Sequence, residues 1–143
     1  MARALIADTG GLLRAFAKRP DGRLTWPAYA NALRRAAVVV VPALVLAEVD
    51  YFLRSERAAM RKFVAELFDP TTTYEFEGVF PSDIVRALQL DAKFHQLELG
   101  LVDGIVAAIA ERRRIYRVLT TDHRDFGTLR IGERYDKTLT LVP

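Results

Sequence analysis

Four acidic residues in this sequence have surroundings that offer them no obvious cation. Asp8 and Asp122 each end an apolar run, and Asp103 lies between two apolar segments. Glu48 has only apolar or aromatic residues three and four positions away on a predicted helix, where an ion-pair partner would stand. Because a buried carboxylate is unfavourable unless something pairs with it, these four acids are the first candidates for a functional site.

Local structural roles are an alternative for three of the four acids. Asp8 and Asp103 could each cap a helix, since aspartate is a favoured N-cap residue. Asp122 could begin a turn. Glu48 has no such role because it lies in the middle of a predicted helix, where capping does not reach.

Brought together, these carboxylates would need a counter-charge. Two carboxylates ~4 Å apart repel by about 4 kcal/mol at an effective dielectric constant near 20. A hard divalent cation removes this repulsion, and a donor set of oxygens favours Mg²⁺ or Mn²⁺ over zinc in a chain with no cysteine and two histidines. Because a bound cation makes water a better nucleophile, the expected chemistry is hydrolysis of phosphodiesters at a site of one or two ions.

The order of elements predicts how the chain could assemble such a site. Strand-like runs alternate with helical patterns, which is typical of a three-layer α/β/α fold with a central parallel sheet of four to five strands. Ligands of these sheets bind beyond the carboxyl ends of the strands, where the following helices also begin. All four acids map to that edge. The predicted strands are residues 3–8, 38–42, 71–79, 115–122 and 138–142.

Predicted helices fill the intervals between the strands. Thr25 is a candidate N-cap, with Pro27 in the first turn of the same helix. Gly100 is the expected C-terminal cap of a helix that begins at Ser82. The helical segments are residues 25–37, 42–68 (which a break near 54–55 could divide), 82–100 and 101–114. Because no linker or repeat divides residues 1–143, we expect one domain.

Most other acids have ordinary explanations. Asp50 lies four residues before Arg54 on a helix, as in a surface ion pair. Asp83 falls in a first helical turn, where negative charge suits the helix dipole. Glu75 and Glu77 alternate with apolar residues and are expected on the solvent side of a strand.

Composition excludes several classes of protein. Apolar residues make up 51% of the chain, which permits a core and argues against disorder. The absence of cysteine excludes disulfides and fits a reducing compartment. The N-terminus does not read as a signal peptide, and no apolar run could cross a bilayer, so we expect a cytoplasmic protein without a membrane partner. A net charge of +3 permits binding to a polyanion.

The segments that carry the four acids resemble, in the same order, the four conserved blocks of PIN-domain nucleases. The likeness is strongest to the VapC-type toxins of bacterial toxin–antitoxin pairs, which are single PIN domains of about this length. It spans essentially the whole chain. The segments are "ADTGGLL", "VLAEVDYFL", "LGLVDGIVAAIA" and "LTTDHRDF".

The resemblance assigns roles to individual residues. It implies that Asp8, Glu48, Asp103 and Asp122 are the catalytic and metal-binding acids. It also implies that Thr9 is the hydroxyl residue that commonly follows the first acid.

The resemblance further implies an activity and its partners. The protein would be the toxin of a type II toxin–antitoxin system, an endoribonuclease that depends on Mg²⁺ or Mn²⁺ and works as a homodimer. A small antitoxin would block the acidic site. Asp125 matches an additional acid of many relatives. The sequence departs from the family at Gly10 and Gly11, where many relatives carry a side chain, and at Gly104, where alanine is usual.

Further residues near the predicted site invite functional readings. Arg124 follows the fourth strand and could hold a phosphate, although pairing with Asp125 or Asp122 explains it equally well. His123 is more simply a solvated loop residue than a general base. The run Arg112–Arg114 ends the helix that carries Asp103, so it complements the helix dipole and lies toward the opposite edge.

Other functions account for the sequence less well. A PIN-like RNA-processing nuclease without an antitoxin, and a catalytically silent RNA- or protein-binding module, are the alternatives that keep the fold. A haloacid-dehalogenase-type phosphatase needs a second aspartate where Gly10 stands. A phosphate-receiver domain needs a paired acid before the end of the first strand and a lysine after the last strands, and we find neither.

Overall fold

A five-stranded parallel sheet forms the centre of the fold. The computed structural model describes residues 3–143, and in it the strands lie in the order β3-β2-β1-β4-β5. β1 is central and pairs on one side with β2 and on the other with β4. The strands are β1 Ala4–Ala7, β2 Val38–Pro42, β3 Tyr74–Glu77, β4 Arg117–Leu119 and β5 Thr140–Val142. The predicted α/β fold with a parallel sheet is confirmed.

Seven α-helices connect and cover these strands within the described residues. Both faces of the inner strands are buried, since Leu5, Ile6 and Val39–Val41 are at most 1% exposed. A parallel sheet covered on both faces calls for such continuous apolar runs. The helices are α1 Thr9–Phe16, α2 Pro27–Arg35, α3 Ala43–Phe52, α4 Arg57–Leu67, α5 Pro81–Lys93, α6 Gly100–Arg113 and α7 His123–Thr128.

Two predicted helix boundaries are wrong. Thr25 does not cap α2, because Trp26 is the N-cap residue and no side chain caps that end, although Pro27 is the first helical residue as expected. Gly100 does not close a helix from Ser82. That helix ends at Lys93, a short 3-10 turn follows, and Gly100 instead opens α6.

Two helices were not predicted from the sequence pattern because they are short. α1 begins directly after Asp8, and α7 directly after Asp122. The predicted segment 42–68 is divided as expected, with α3 ending at Phe52 and α4 starting at Arg57. The consequence for the site is that Asp8 and Asp122 each stand at a junction between a strand edge and a helix.

The first turn of α1 packs unusually closely against the end of β4 and the residues after it. A Cβ built on Gly11 would lie 2.3 Å from the backbone oxygen of Leu119, and one on Gly10 would lie 2.3 Å from Oγ1 of Thr121. Only glycine allows this approach. The backbone N–H of Asp8 also donates to the Leu119 oxygen at 2.9 Å, which fixes the end of β1 against the end of β4.

Across residues 3–143, the helices are too short or too polar for any of them to span a lipid bilayer.

Candidate active site

The side chain of Asp8 is buried at the carboxyl end of the central strand. Asp8 is 5% exposed and stands at the N-cap position of α1, but its carboxylate makes no capping hydrogen bond to that helix. Its Oδ2 instead accepts a 2.9 Å hydrogen bond from the hydroxyl of Thr120. Burial raises the pKa of Asp8, while the Thr120 hydroxyl and the Thr9 backbone act in the opposite direction. The capping role therefore does not explain Asp8.

Thr120 links the first and fourth acids of the sequence. Its Oγ1 accepts a 2.9 Å hydrogen bond from the backbone N–H of Asp122 while donating to Asp8. Thr120 is fully buried immediately after β4. Sequence reasoning overlooked it, and the available signal was its position two residues before Asp122 at the end of an apolar strand.

Asp122 has the local role that the sequence allowed. It is the N-cap of α7, and its Oδ1 accepts the backbone N–H of Asp125 at 3.0 Å. Its other oxygen makes no protein hydrogen bond among those of the described residues. The pKa of Asp125 is raised by partial burial and by the negative charge of Asp122.

Asp103 is the most perturbed acid of the site. It lies in the first turn of α6, where Leu99 rather than Asp103 takes the N-cap position. Burial, as the largest cause, and the negative charges of Asp8, Asp122, Glu48 and Asp125, in this order, together raise the pKa of Asp103 to about 7. The five carboxylates, Asp103 and these four, thus interact at one edge of the sheet. Glu48 comes from α3, and the other four come from strand ends or helix starts.

Glu48 reaches this edge from α3, but not for the reason that the sequence suggested. The predicted apolar stripe beside it is wrong, since Tyr51 and Phe52 are 59% and 54% exposed and the core residues of α3 are Val45 and Val49. Glu48 itself is partly exposed. Its charge contributes to the raised pKa of both Asp8 and Asp103.

Thr9 supplies a polar atom with no protein partner next to Asp8. Its Oγ1 is the one buried side-chain oxygen or nitrogen without a hydrogen bond across residues 3–143. Thr9 is 4% exposed, so solvent does not substitute for the missing partner. A buried hydroxyl left in this way is unusual and accords with a site that accepts a further group.

Two neighbours of the site have minor contacts. Arg124 is largely exposed, with its side chain at 86% of full exposure and its Nε 3.9 Å from Oδ1 of Asp125. That weak pair leaves the guanidinium accessible beside the acids. A ring nitrogen of His123 lies 3.2 Å from the carbonyl oxygen of Thr120. This contact occupies that nitrogen and argues against a role as general base.

The donor set suits a hard divalent cation, since every candidate ligand is a carboxylate or hydroxyl oxygen. Within residues 3–143, however, no three acidic or histidine side chains stand close enough to coordinate one ion. Carboxylates grouped at one edge repel one another unless a counter-charge is present. Burial and, to a smaller extent, the like charges of the neighbouring acids raise the pKa of both Asp8 and Asp103.

Acids outside this edge are neutralised by arginines, in part differently from expectation. Asp83 is almost fully buried, and Arg112 binds it through two hydrogen bonds of 2.9 and 3.1 Å. Asp50 pairs with Arg57 at 2.7 Å rather than with Arg54. The arginine run at the end of α6 thus serves ion pairs as well as the helix dipole.

The comparisons with known proteins agree with this fold. A family model described as the PIN domain matches residues 5–130. The chain belongs to the PIN-domain family. The matched range includes all five acids of the site. These acids do not line either of the two cavities described below.

Two mycobacterial proteins illustrate where this PIN domain stands among its relatives. It is 27% identical over 133 residues to Ribonuclease VapC26 of Mycobacterium tuberculosis, covering 88% of this chain and 92% of the relative. It is also similar to the crystal structure of Mycobacterium tuberculosis VapC20, described as a sarcin–ricin loop cleaving toxin. That likeness has a TM-score of 0.68 at 18% identity and covers 85% of this chain and 92% of the other.

The glycines that depart from the PIN pattern have a structural reason here. Gly10 and Gly11 allow α1 to approach β4, as described above. A Cβ on Gly104 would lie 2.8 Å from the Cβ of Ala87, so this glycine allows α6 to pack closely on α5. None of these glycines changes the number of acids at the edge.

Proposed function

We propose that this protein is an endoribonuclease that depends on Mg²⁺ or Mn²⁺, and that Asp8, Glu48, Asp103 and Asp122 hold the cation. The observation that carries the proposal is the convergence of acids on Asp103, whose pKa burial and like charges raise to about 7. The similarity to a protein named Ribonuclease VapC26 indicates the reaction class and points to RNA as the substrate. Thr9 and Asp125 are proposed as further contributors to the site.

Each residue has a distinct task in the proposed reaction. Asp8, buried and fixed by Thr120, provides a rigid anionic anchor. Asp103 and Glu48 bring two more carboxylates from helices, and Asp122 adds one oxygen that the cap of α7 does not use. A bound divalent cation would supply charge for the scissile phosphate and lower the pKa of the attacking water.

Arg124 is proposed to help hold the RNA beside these acids. Its guanidinium is exposed and only weakly engaged by Asp125. Arginine binds phosphate through paired N–H groups, so Arg124 could contact a phosphate next to the cleaved bond. Replacing it with glutamine should weaken substrate binding while leaving metal binding unchanged.

Cleavage assays on defined RNAs test the proposed reaction. Purified transfer RNA and a sarcin–ricin loop oligonucleotide would be incubated with the wild type in Mg²⁺, in Mn²⁺ and in EDTA, and new 5′ ends would be sequenced. We expect cleavage only with metal, and a loss of at least ~100-fold in Asp8→Asn. Asp21→Asn is the matched control, since Asp21 is exposed and its carboxylate lies 3.8 Å from the exposed Arg23.

The same assays separate the proposal from its alternatives. Cleavage in EDTA, or an active Asp8→Asn, contradicts a metal-dependent mechanism at this site. RNA or protein binding with no cleavage under any metal indicates a catalytically silent module. We expect the protein to act in the cytoplasm, where RNA substrates are available.

We further propose that the nuclease is a toxin controlled by a small antitoxin that covers the acidic edge. Similarity to proteins named as VapC supports this pairing. A second feature is a cavity of about 710 Å³ between α1 and α4, lined by Leu13, Phe16 and Phe63 among others, which suits an apolar segment of a partner. Co-expression with the product of a short upstream reading frame should yield a complex that no longer cleaves RNA. A PIN nuclease for RNA processing would cleave without being inhibited.

We also propose that the protein forms a homodimer, because it has an exposed apolar surface on α5. Along α5, Ile84, Val85 and Leu88 are 40–57% exposed, and Phe80 and Leu101 extend this apolar surface. An exposed apolar patch on a protein of this size marks an interaction surface. Leu88→Glu should convert a dimer into a monomer in light-scattering measurements, whereas the adjacent exposed change Gln89→Glu should not.

A further inference from the structure

A cavity of about 650 Å³ lies between α2 and the sheet, away from the acids. Residues at positions 28, 31, 32 and 35 line it from one face of α2, which is the spacing of a helical stripe. Leu5, Arg117 and Val142 line it from three neighbouring strands, β1, β4 and β5. The backbone N–H of Ala37 donates to the oxygen of Arg3 at 2.9 Å and so ties the end of α2 to the start of β1.

Three arginines surround this cavity, and no acidic side chain lines it. Arg3 and Arg35 are exposed, and Arg117 is half-buried. Within residues 3–143, none of the three lies within 4.0 Å of a carboxylate, whereas Arg112, Arg113 and Arg86 all form ion pairs. The cavity, which Pro143 also lines, therefore brings together three guanidiniums that form no ion pair within the described residues.

The remaining polar side chain at the cavity is also a donor. Arg34 donates a hydrogen bond to Oδ1 of Asn31. Asn31 also lines the cavity, beside the guanidiniums of Arg3, Arg35 and Arg117. A ligand that satisfies these groups has to present acceptors, and the accessible apolar surface of Ala28, Ala32 and Pro143 suits a planar ring next to them.

We propose that this cavity binds a nucleotide of the RNA substrate, with its phosphate on the arginines, as a second contact site remote from the cleaved bond. This inference rests on the proposed ribonuclease function. The volume falls within the range of small-molecule sites and accommodates one nucleotide. Arginine forks match phosphate oxygens in geometry and charge.

The location of the cavity explains why such a contact would be needed. Arg3 lies five residues before Asp8, and Arg117 lies five residues before Asp122. Part of the intervening chain is a strand in both cases. At ~3.3 Å per residue this places the arginines about 16 Å from the acids. Roughly five nucleotides of a duplex strand cover that distance at ~3.4 Å each. Since the acids repel a polyanion, RNA needs cations to bind, and this cavity supplies three in addition to Arg124.

Salt-dependent binding measurements test this site without relying on cleavage. A fluorescent RNA stem-loop of 24 nucleotides would be titrated in EDTA against the wild type and against R3Q/R35Q/R117Q, between 50 and 200 mM salt. A lost phosphate contact lowers the slope of log K against log salt by about 0.7 to 0.9, so the triple variant, which loses the one phosphate held by the arginines, should lose about that much slope and roughly 10-fold in affinity. Arg61→Gln, an exposed change on α4, is the matched control and should change neither value.

The folding of the variants is checked independently. If the half-buried Arg117 proves necessary for folding, R3Q/R35Q carries the test, since both side chains are exposed. That double variant should lower the slope in the same direction, by at most about 0.7 to 0.9. Unchanged affinity and slope in folded variants overturn the proposal.

Competition experiments identify the occupant. Adenosine monophosphate should displace the stem-loop from the wild type and should shift amide resonances around Asn31 and Arg35. A polyglutamate peptide that competes through the same arginines, while the mononucleotide does not, overturns the proposal in favour of an acidic protein partner. Binding of the mononucleotide without any arginine-dependent binding of the stem-loop also overturns it, in favour of a free nucleotide.

The two proposals fail separately. RNA that binds through the arginines but is never cleaved contradicts the ribonuclease function and leaves the second contact site in place. In the opposite case, cleavage requires metal and Asp8, but the triple substitution does not change its rate at any salt concentration when RNA is below saturation. That result contradicts the second site alone.

Discussion

The hydroxyl of Thr120 lies 2.9 Å from Oδ2 of Asp8 and donates to it across the boundary between β4 and β1. Oγ1 of Thr120 also accepts a hydrogen bond from the backbone N–H of Asp122. One buried side chain thus orients the first acid and fixes the backbone of the fourth. Because this bond favours the charged form of Asp8, it opposes the effect of burial on the pKa of that carboxyl.

Removing this hydroxyl should impair the proposed reaction through Asp8. In Thr120→Val the pKa of Asp8 should rise further, and cleavage near pH 7 should fall by roughly 10- to 100-fold, as expected for losing a hydrogen bond to a charged group. The pH–rate profile should show its acid limb displaced to higher pH. Thr120→Ser keeps the hydroxyl and should stay near the wild type, and equal profiles for valine and serine variants would contradict this role.

The raised pKa of Asp103 makes the stability of the metal-free protein depend on pH. The folded protein holds this proton up to about pH 7, whereas an unfolded chain releases it near 3.9. Between these values the folded state binds more protons, so the free energy of unfolding should fall as the pH rises from about 4 to about 7 and then level off.

Asp103→Asn should remove most of this dependence. At pH 8 in EDTA its melting temperature should exceed that of the wild type by roughly 3 °C or more, because a like charge is removed from the acidic edge. Melting curves at several pH values measure the effect. A marked loss of stability in Asp103→Asn would indicate a structural role for this carboxylate instead.

Gly11 should tolerate no side chain. In Gly11→Ala the new Cβ would approach the Leu119 oxygen to 2.3 Å, which forces α1 or β4 to shift. Overpacking of this kind costs about 1–3 kcal/mol, and cleavage should fall as well because Thr120 follows Leu119 directly. Gly78→Ala is the control, since nothing lies within 4 Å of a Cβ there. Chemical denaturation of both variants compares the costs.

The pair between Asp83 and Arg112 should be important for stability and not for catalysis. Asp83 accepts two hydrogen bonds from Arg112 and one from the backbone N–H of Phe80, and its side chain is only 3% exposed. Asp83→Ala should therefore lower the free energy of unfolding by about 3 kcal/mol. Asp91→Ala on the same helix should have little effect. Metal-dependent cleavage per folded molecule should be the same in both.

The sequence was sufficient to predict the five strands and the edge where they end, but the predicted runs 71–79, 115–122 and 138–142 are longer than β3, β4 and β5, and Asp122 lies three residues beyond the end of β4. Apolar runs such as residues 38–42 can only be strands buried on both faces, and a parallel sheet sends their following residues to one edge. Asp8 and Asp122 were therefore placed at that edge without any structural information. Asp103 followed because α6 begins there too.

What the sequence could not supply depends on contacts between distant segments. Glu48 was selected for an apolar stripe that the structure does not have, since helical spacing alone does not say which side of α3 faces the core. Thr120 was overlooked because a threonine in a strand is usually a matter of β propensity. Asp83 was interpreted from its own helix, whereas its partner Arg112 lies 29 positions later.

The central position of β1 has a consequence for synthesis. Its neighbours are β2, which follows within 40 residues, and β4, which begins only at Arg117. The bond between Thr120 and Asp8 joins residues 112 positions apart. A growing polypeptide on the ribosome therefore acquires the clamp on Asp8 only 112 residues after Asp8 itself, so the acidic edge cannot assemble before β4 and the residues after it have emerged.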